Sequence, residues 1–227
     1  MEKNKFGGYS ICKRYGKKVV LDGAGFELNR SGIVGVFGLN GSGKTTLLRL
    51  LSGLDGDFEG WLYKTDFEDV AYMSVENEFP MEMRVKDCVE FASRFTAGVD
   101  TQKIYDALAK ANISSRSFVR SLSSGMRQYF KFLLTVHSGA SVCLFDEPTS
   151  NLDVNLREEI AQTLIREMDE NRIFIITTHE IKEIERLIEG FFILKDGKLS
   201  AYYDSEQVVE ETGKSVVEFY KEKVNEK

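Results

Sequence analysis

The run "GIVGVFGLNGSGKTTLLRLLSG" at residues 32–53 constrains this chain more than any other stretch. Its first part, "GIVGVFG", is short, apolar and rich in β-branched residues, and it reads as a buried strand. A glycine-rich turn follows at once, then "TTLLRLLSG" reads as a helix, with Gly53 placed just past its end. A buried strand that passes through a tight loop into a helix opens a βα unit, which favours an α/β fold around a mainly parallel sheet. The chain repeats that alternation. "SVCLFDEP" is a second buried strand that Pro148 terminates, Leu156, Ile160, Leu164 and Met168 make a helical stripe, and "IFIITT" is a further strand. "GFFILKDGKLSAYY" predicts a hairpin turning on Asp196-Gly197, a pair that accepts positive φ. From Val85 to Gly139 helical spacings such as Ile104, Leu108 and Ala111 replace the strand signals, so an all-helical subdomain over 85–139 is expected inside a single domain of 1–227. Residues 205–227 read as an amphipathic helical tail, charged enough to be solvated.

Gly38 to Thr45 matches G-x-x-x-x-G-K-[ST], in the strand-to-helix setting that gives the pattern its chemistry. Glycines let backbone N–H groups turn inward toward phosphates, and the helix N-terminus adds positive potential. Lys44 is placed to reach the β- and γ-phosphates of a nucleotide, and Thr45 to offer a hydroxyl to Mg²⁺. Gly38, Asn40, Gly41, Ser42, Gly43, Lys44, Thr45 and Thr46 are the nucleotide-binding candidates of this loop. In "LFDEP", Asp146 suits an outer-shell or water-mediated Mg²⁺ ligand, and Glu147 is placed to orient and deprotonate an attacking water. Taken alone, the acidic pair reads as well as a solvated strand end; beside the glycine loop it reads as catalytic. The strand 173–178 delivers His179 to the carboxyl edge where α/β sheets hold ligands, which makes it a candidate γ-phosphate contact.

Composition narrows the partners. A formal charge of −6, with basic residues dispersed among more numerous acids, argues against nucleic-acid binding. Cys12, Cys88 and Cys143 lie far apart without a C-x-x-C, so reduced thiols fit better than a zinc site or a disulfide framework. The start lacks an apolar signal core, and no apolar run approaches the roughly 20 residues a spanning helix needs. Membrane work would therefore pass through a partner.

The glycine loop, "SLSSGMRQ" (Ser121 to Gln128), "LFDEP", "SNLD" (Ser150 to Asp153) and "TTH" occur in that order, and order and spacing together resemble the ATP-binding-cassette family over nearly the whole chain. The resemblance implies an α/β P-loop NTPase core with a mainly parallel sheet, an N-terminal antiparallel β subdomain and an inserted α-helical subdomain. It implies ATP and Mg²⁺ as cofactors and hydrolysis that uses Lys44, Glu147 and His179. It also implies that Ser123, Ser124 and Gly125 start a helix facing ATP held by a second copy in a head-to-tail dimer. Asp153 of "SNLD" would link the two sites, and Tyr15 would stack on adenine. An integral membrane permease subunit would be the other partner, with this chain cytoplasmic and peripheral on the inner face of the cell membrane.

Two departures stand out. The family's Leu-Ser-Gly-Gly-Gln signature here has Ser124 third and Met126 fifth, small enough at the third position for the anion site to survive. After "VAYMS", where the family places a glutamine that touches Mg²⁺, stand Val75 and Glu76; either Glu76 takes over as a metal ligand with a shift of register, or the contact is missing. "NEFPMEMRV", with Phe79, Met81, Met83 and Val85, reads as a docking groove or as a half-buried edge segment. The compact insert and "LSSGM" resemble ATPase subunits that export drugs or amphipathic peptides, while an importer subunit, or a soluble cassette acting on ribosomes or DNA, stays open.

Overall fold

The computed structural model describes residues 5–64, 69–76 and 80–225. In chain order these form β1 (Phe6–Tyr15), β2 (Lys18–Leu28), β3 (Gly32–Phe37), α1 (Lys44–Leu51), β4 (Glu59–Lys64), β5 (Val70–Met73), α2 (Val85–Phe95), α3 (Thr101–Lys110) and α4 (Ser124–Val136). There follow β6 (Val142–Asp146), α5 (Val154–Glu167), β7 (Ile173–Thr178), β8 (Gly190–Lys195), β9 (Lys198–Leu199), β10 (Tyr203–Asp204), α6 (Ser205–Thr212) and α7 (Val216–Asn225). Among the described residues, an antiparallel sheet of order β2-β1-β4 packs beside a larger one of order β10-β8-β3-β7-β6-β5. In the larger sheet β8, β3, β7, β6 and β5 pair in parallel, and β9 and β10 return antiparallel along β8. This is the α/β architecture with a mostly parallel sheet that the sequence predicts.

Every residue of β3, β6 and β7 is buried, as strands covered on both faces must be. The period of two sorts their side chains. Val142 and Leu144 of β6, with Ile173 and Ile175 of β7, join Leu47, Leu48 and Leu50 of α1 and the antiparallel sheet in one apolar cluster. Cys143, Phe145, Phe174 and Ile176 face the other way, against Tyr129, Phe132 and Leu133 of α4. Gly53 sits just past α1 at φ 78°, and Asp196 and Gly197 turn the β8–β9 hairpin at φ 50° and 75°.

Residues 85–139 carry α2, α3 and α4 and, among the described residues, no strand. They do not pack apart from the sheet, because Val85, Val89, Ile104 and Leu108 belong to the same cluster as Phe145 and Phe174. The expectation of a solvated tail over 205–227 is corrected. Val208, Val216, Val217 and Phe219 are buried, the Phe219 ring lies 4.9 Å from Tyr203 and 6.2 Å from Phe191, and Tyr220 meets Phe37 edge-on at 6.0 Å. Most charges of α6 and α7 are exposed, and the inward stripe packs on Phe37 of β3, Phe191 of β8 and Tyr203 of β10.

Register then positions the chemistry. Phe37, the last residue before the glycine loop, pairs with Thr178, and Asp146 pairs with Thr177. The ends of β3, β7 and β6 therefore lie side by side, so Gly38, His179 and Glu147 leave the sheet at one edge.

Candidate nucleotide site

The loop between β3 and α1 depends on glycine at two places. Gly43, the residue before α1, has φ 108°, and a Cβ there would stand 3.1 Å from the Val20 carbonyl oxygen. At Gly38 a Cβ would fall 2.5 Å from the Leu194 carbonyl oxygen. Gly43 supplies no side-chain cap, so the first N–H groups of α1 are left to a ligand. Tyr15, Asn40, Gly41, Gly43, Lys44, Thr45, Thr46 and Glu147 all line one cleft of about 490 Å³, within the range of small-molecule sites. Ser42 does not line it, but its hydroxyl oxygen is buried without a hydrogen-bond partner in the loop that forms the cleft wall.

Lys44 is buried, and its ammonium donates to the carbonyl oxygens of Gly38 at 2.8 Å and Leu39 at 3.3 Å, with Glu147 Oε1 3.9 Å away. Burial lowers the Lys44 pKa from its ordinary value, and the charges of Glu147 and Asp146 oppose that shift. Asp146 is fully buried; its Oδ1 accepts from the Thr177 hydroxyl at 2.6 Å and its Oδ2 from the Tyr72 hydroxyl at 3.3 Å. Glu147 adopts φ 51°, a sparsely populated conformation for a non-glycine residue and one that clusters at functional sites. Its backbone N–H donates to the Thr177 carbonyl at 3.0 Å, which fixes the turn. The carboxylate stands between two partners: His179 Nδ1 lies 2.8 Å from Oε2, and Lys44 lies beside Oε1. Lys44, Asp146, Glu147 and His179 thus meet at one edge of the sheet, with Glu147 linking the loop lysine to the histidine.

Tyr15, half exposed at the cleft mouth, donates its hydroxyl to Asp55 Oδ2 at 3.0 Å, and the Lys13 ammonium sits 5.0 Å from its ring centroid. Val75 and Glu76 are placed differently. Val75 lines the cleft, whereas Glu76 is exposed, with Arg49 3.9 Å from its carboxylate and its N–H donated to the Ser74 hydroxyl. Glu76 is not among the residues that line the cleft.

Ser123, Ser124, Gly125 and Asp153 lie elsewhere. Ser123 caps α4 by accepting from the Met126 N–H at 3.1 Å, and Asp153 caps α5 by accepting from the Leu156 N–H at 3.0 Å. Ser123, Met126 and Asp153 line a separate groove of about 520 Å³ that shares no lining residue with the first cleft. Ser124 is exposed, and Gly125 is buried where a Cβ would stand 3.1 Å from the Asn151 carbonyl oxygen. Of the docking candidates, Met81 is exposed, Met83 lines an apolar groove, Val85 is in the core and Phe79 lies outside the described residues.

Sequence reasoning missed Tyr72 and Thr177, the partners of Asp146, and Gln128, whose amide donates to the Glu147 carbonyl at 2.9 Å from α4. All three lay inside quoted stretches, "SLSSGMRQ", "VAYMS" and "TTH", but only the fold brings Tyr72 and Thr177 to the Asp146 carboxylate and Gln128 to the Glu147 backbone.

Residues 21–150 match the sequence profile described as ABC transporter. The chain is 32% identical over 207 residues to an uncharacterized ABC transporter ATP-binding protein of Methanocaldococcus jannaschii, covering 88% of this chain and 77% of that one. It is 30% identical over 208 residues to an Fe(3+) ions import ATP-binding protein of Photobacterium profundum, covering 84% of this chain but only 58% of the relative's length. A Nod factor export ATP-binding protein of Ralstonia nicotianae is 28% identical over 227 residues, with 92% and 70% covered. A solved structure described as an ATP-binding subunit of an ABC transporter superposes with a TM-score of 0.81 at 20% identity, covering 96% of this chain and 98% of that one, which shows the shared fold.

Proposed function

This chain belongs to the ABC transporter family as an ATP-binding subunit and ATPase, and from that premise we propose that two copies bind two ATP molecules head to tail and drive a membrane permease subunit. The observation that carries this reading is the separation of two half-sites. Lys44 and Glu147 line one cleft, with Asp146 and His179 beside them at the same edge of the sheet, while the start of α4 faces a different groove. A two-fold axis that joins unlike half-sites yields two composite ATP sites.

In each site the loop N–H groups and Lys44 bind the phosphates, and Tyr15 stacks on the base. Thr45 and Asp146 would hold Mg²⁺, which when bound neutralises charge on the phosphate oxygens. The donor set fits both groups: an exposed Thr45 hydroxyl, a fully buried carboxylate and an unpartnered Ser42 hydroxyl. Glu147 takes a proton from the attacking water, and His179, 2.8 Å from its Oε2, holds the carboxylate in place and faces the γ-phosphate. Ser123, Ser124 and Gly125 of the other copy complete the site, with Asp153 in the segment that joins the two.

The permease docks on the groove of about 410 Å³ between α2, α4 and the end of β5, walled by Tyr72, Met83, Phe91 and Leu134. Phe91 and Phe95 extend that wall as exposed rings 4.5 Å apart. This partner would hold the chain at the inner face of the membrane; among the described residues no helix is long and apolar enough to cross one. Export of drugs or amphipathic peptides is the proposed direction, supported by the "LSSGM" signature and by the exporter relative's 92% coverage of this chain. Import is the second reading, favoured by 30% identity to the iron-import subunit. Inside-out vesicles carrying the chain and its permease separate the two: Mg-ATP outside fills the lumen with cargo for an exporter and empties it for an importer.

A further inference from the structure

The loop that follows β5 is held by a side chain from another element. Lys131, on the third turn of α4, donates its ammonium to three consecutive carbonyl oxygens, those of Ser74 at 2.8 Å, Val75 at 3.5 Å and Glu76 at 3.0 Å. An ammonium has three donors and no acceptor, which suits it to converging carbonyl oxygens. The same loop is folded by the Glu76 N–H donating to the Ser74 hydroxyl at 3.0 Å. The Val75 side chain meanwhile lines the nucleotide cleft. Lys131 also lines the apolar groove, beside Phe91 and Leu134, and one turn after it Thr135 closes back on its carbonyl at 3.0 Å.

These contacts place one cation at the meeting point of three regions: the nucleotide cleft through Val75, the α4 helix whose start is Ser123 to Gly125, and the apolar groove. We propose that Lys131 is a positioning residue that locks the loop 74–76 to α4, so that this wall of the cleft and the α4 start move as one body. The loop contributes only an apolar side chain to the cleft here, so its link to α4 runs through backbone carbonyls and a charge-assisted grip. Coupling of this kind needs a physical connection with something at both ends, and the lysine supplies it.

The part of the inference that concerns α4 rests on the head-to-tail reading, and the test separates the two. Full-length E147Q, E147Q/K131M and E147Q/K131R are compared. Without nucleotide, amide hydrogen exchange at Glu76 is expected to accelerate at least tenfold in the methionine variant and to return within threefold of the parent in the arginine variant. With Mg-ATP, nucleotide affinity stays within twofold of the parent while the dimer population of the methionine variant falls at least fivefold, and arginine restores it. Unchanged exchange at Glu76 overturns the lysine's hold on the loop. Faster exchange with an undiminished dimer overturns its coupling role. If the E147Q parent itself binds ATP and stays monomeric, the head-to-tail reading fails alone, and exchange at Glu76 still decides the grip.

Discussion

The starts of α1 and α4 look alike in sequence, one after "GLNGSG" and the other after "SLS", yet they differ in what satisfies their backbone. At α1 the preceding residue is Gly43 in a left-handed conformation with no side-chain cap, and the helix opens on a cleft that contains Lys44 and Glu147. At α4 the preceding Ser123 takes the Met126 N–H itself, and the groove there holds Asp153 but no catalytic acid and no loop lysine. The first helix start carries its reaction partners with it. The second is capped by its own serine in a groove that also carries Glu158 and Glu159, and under the proposed function its nucleotide arrives with a second copy. Substitutions at the two ends should therefore fail in different assays.

The largest effect belongs to the α1 side. E147Q keeps the shape and removes the base, so kcat for ATP hydrolysis should fall by roughly 10²–10⁴-fold with nucleotide affinity retained, as filter binding would show. K44A removes the buried ammonium and should weaken nucleotide affinity itself by about 100-fold or more, the scale of a lost charge-assisted contact. On the α4 side, Gly125→Val puts its bulk against the Asn151 carbonyl; it should abolish ATP-dependent association in the E147Q background while one nucleotide per chain still binds with parental affinity. A G125V chain that loses nucleotide affinity as K44A does would erase the distinction between the two helix starts.

Two smaller effects sharpen it. Ser123→Ala removes the cap of α4 and should cost about 1 kcal/mol of stability by urea titration, with affinity of the isolated chain unchanged. Lys44 gives opposite signs for binding and stability as pH rises. Its folded pKa lies below the ordinary 10.5, so between those two values the unfolded chain holds more protons and Lys44 favours folding increasingly with pH. Phosphate binding needs the charged form, so affinity should decline across the same window, and titration calorimetry beside urea unfolding resolves the two trends.

The core strands and the glycine loop were legible because a few residues decided each: β-branched runs for β3 and β7, and Gly43 and Lys44 for the turn. The meeting of Glu147 with His179 was legible as far as their strand ends, and register supplied the 2.8 Å contact. Other features depended on surfaces a linear pattern does not show. "VVEFYKEK" displays an apolar face, but nothing local says that Phe191 and Phe37 await it. Val75 and Glu76 were ambiguous by one residue, and only the fold shows Val75 on the cleft, with the carbonyl of Glu76 held by Lys131, 55 positions further along.

The central claim is that the α4 start of one chain completes the ATP site of another. Light scattering on size-separated E147Q with saturating Mg-ATP, with bound nucleotide counted, tests it most directly. The account predicts a dimer that holds two ATP molecules and falls to monomer when nucleotide is removed. A monomer carrying one tightly bound ATP at every protein concentration would contradict it.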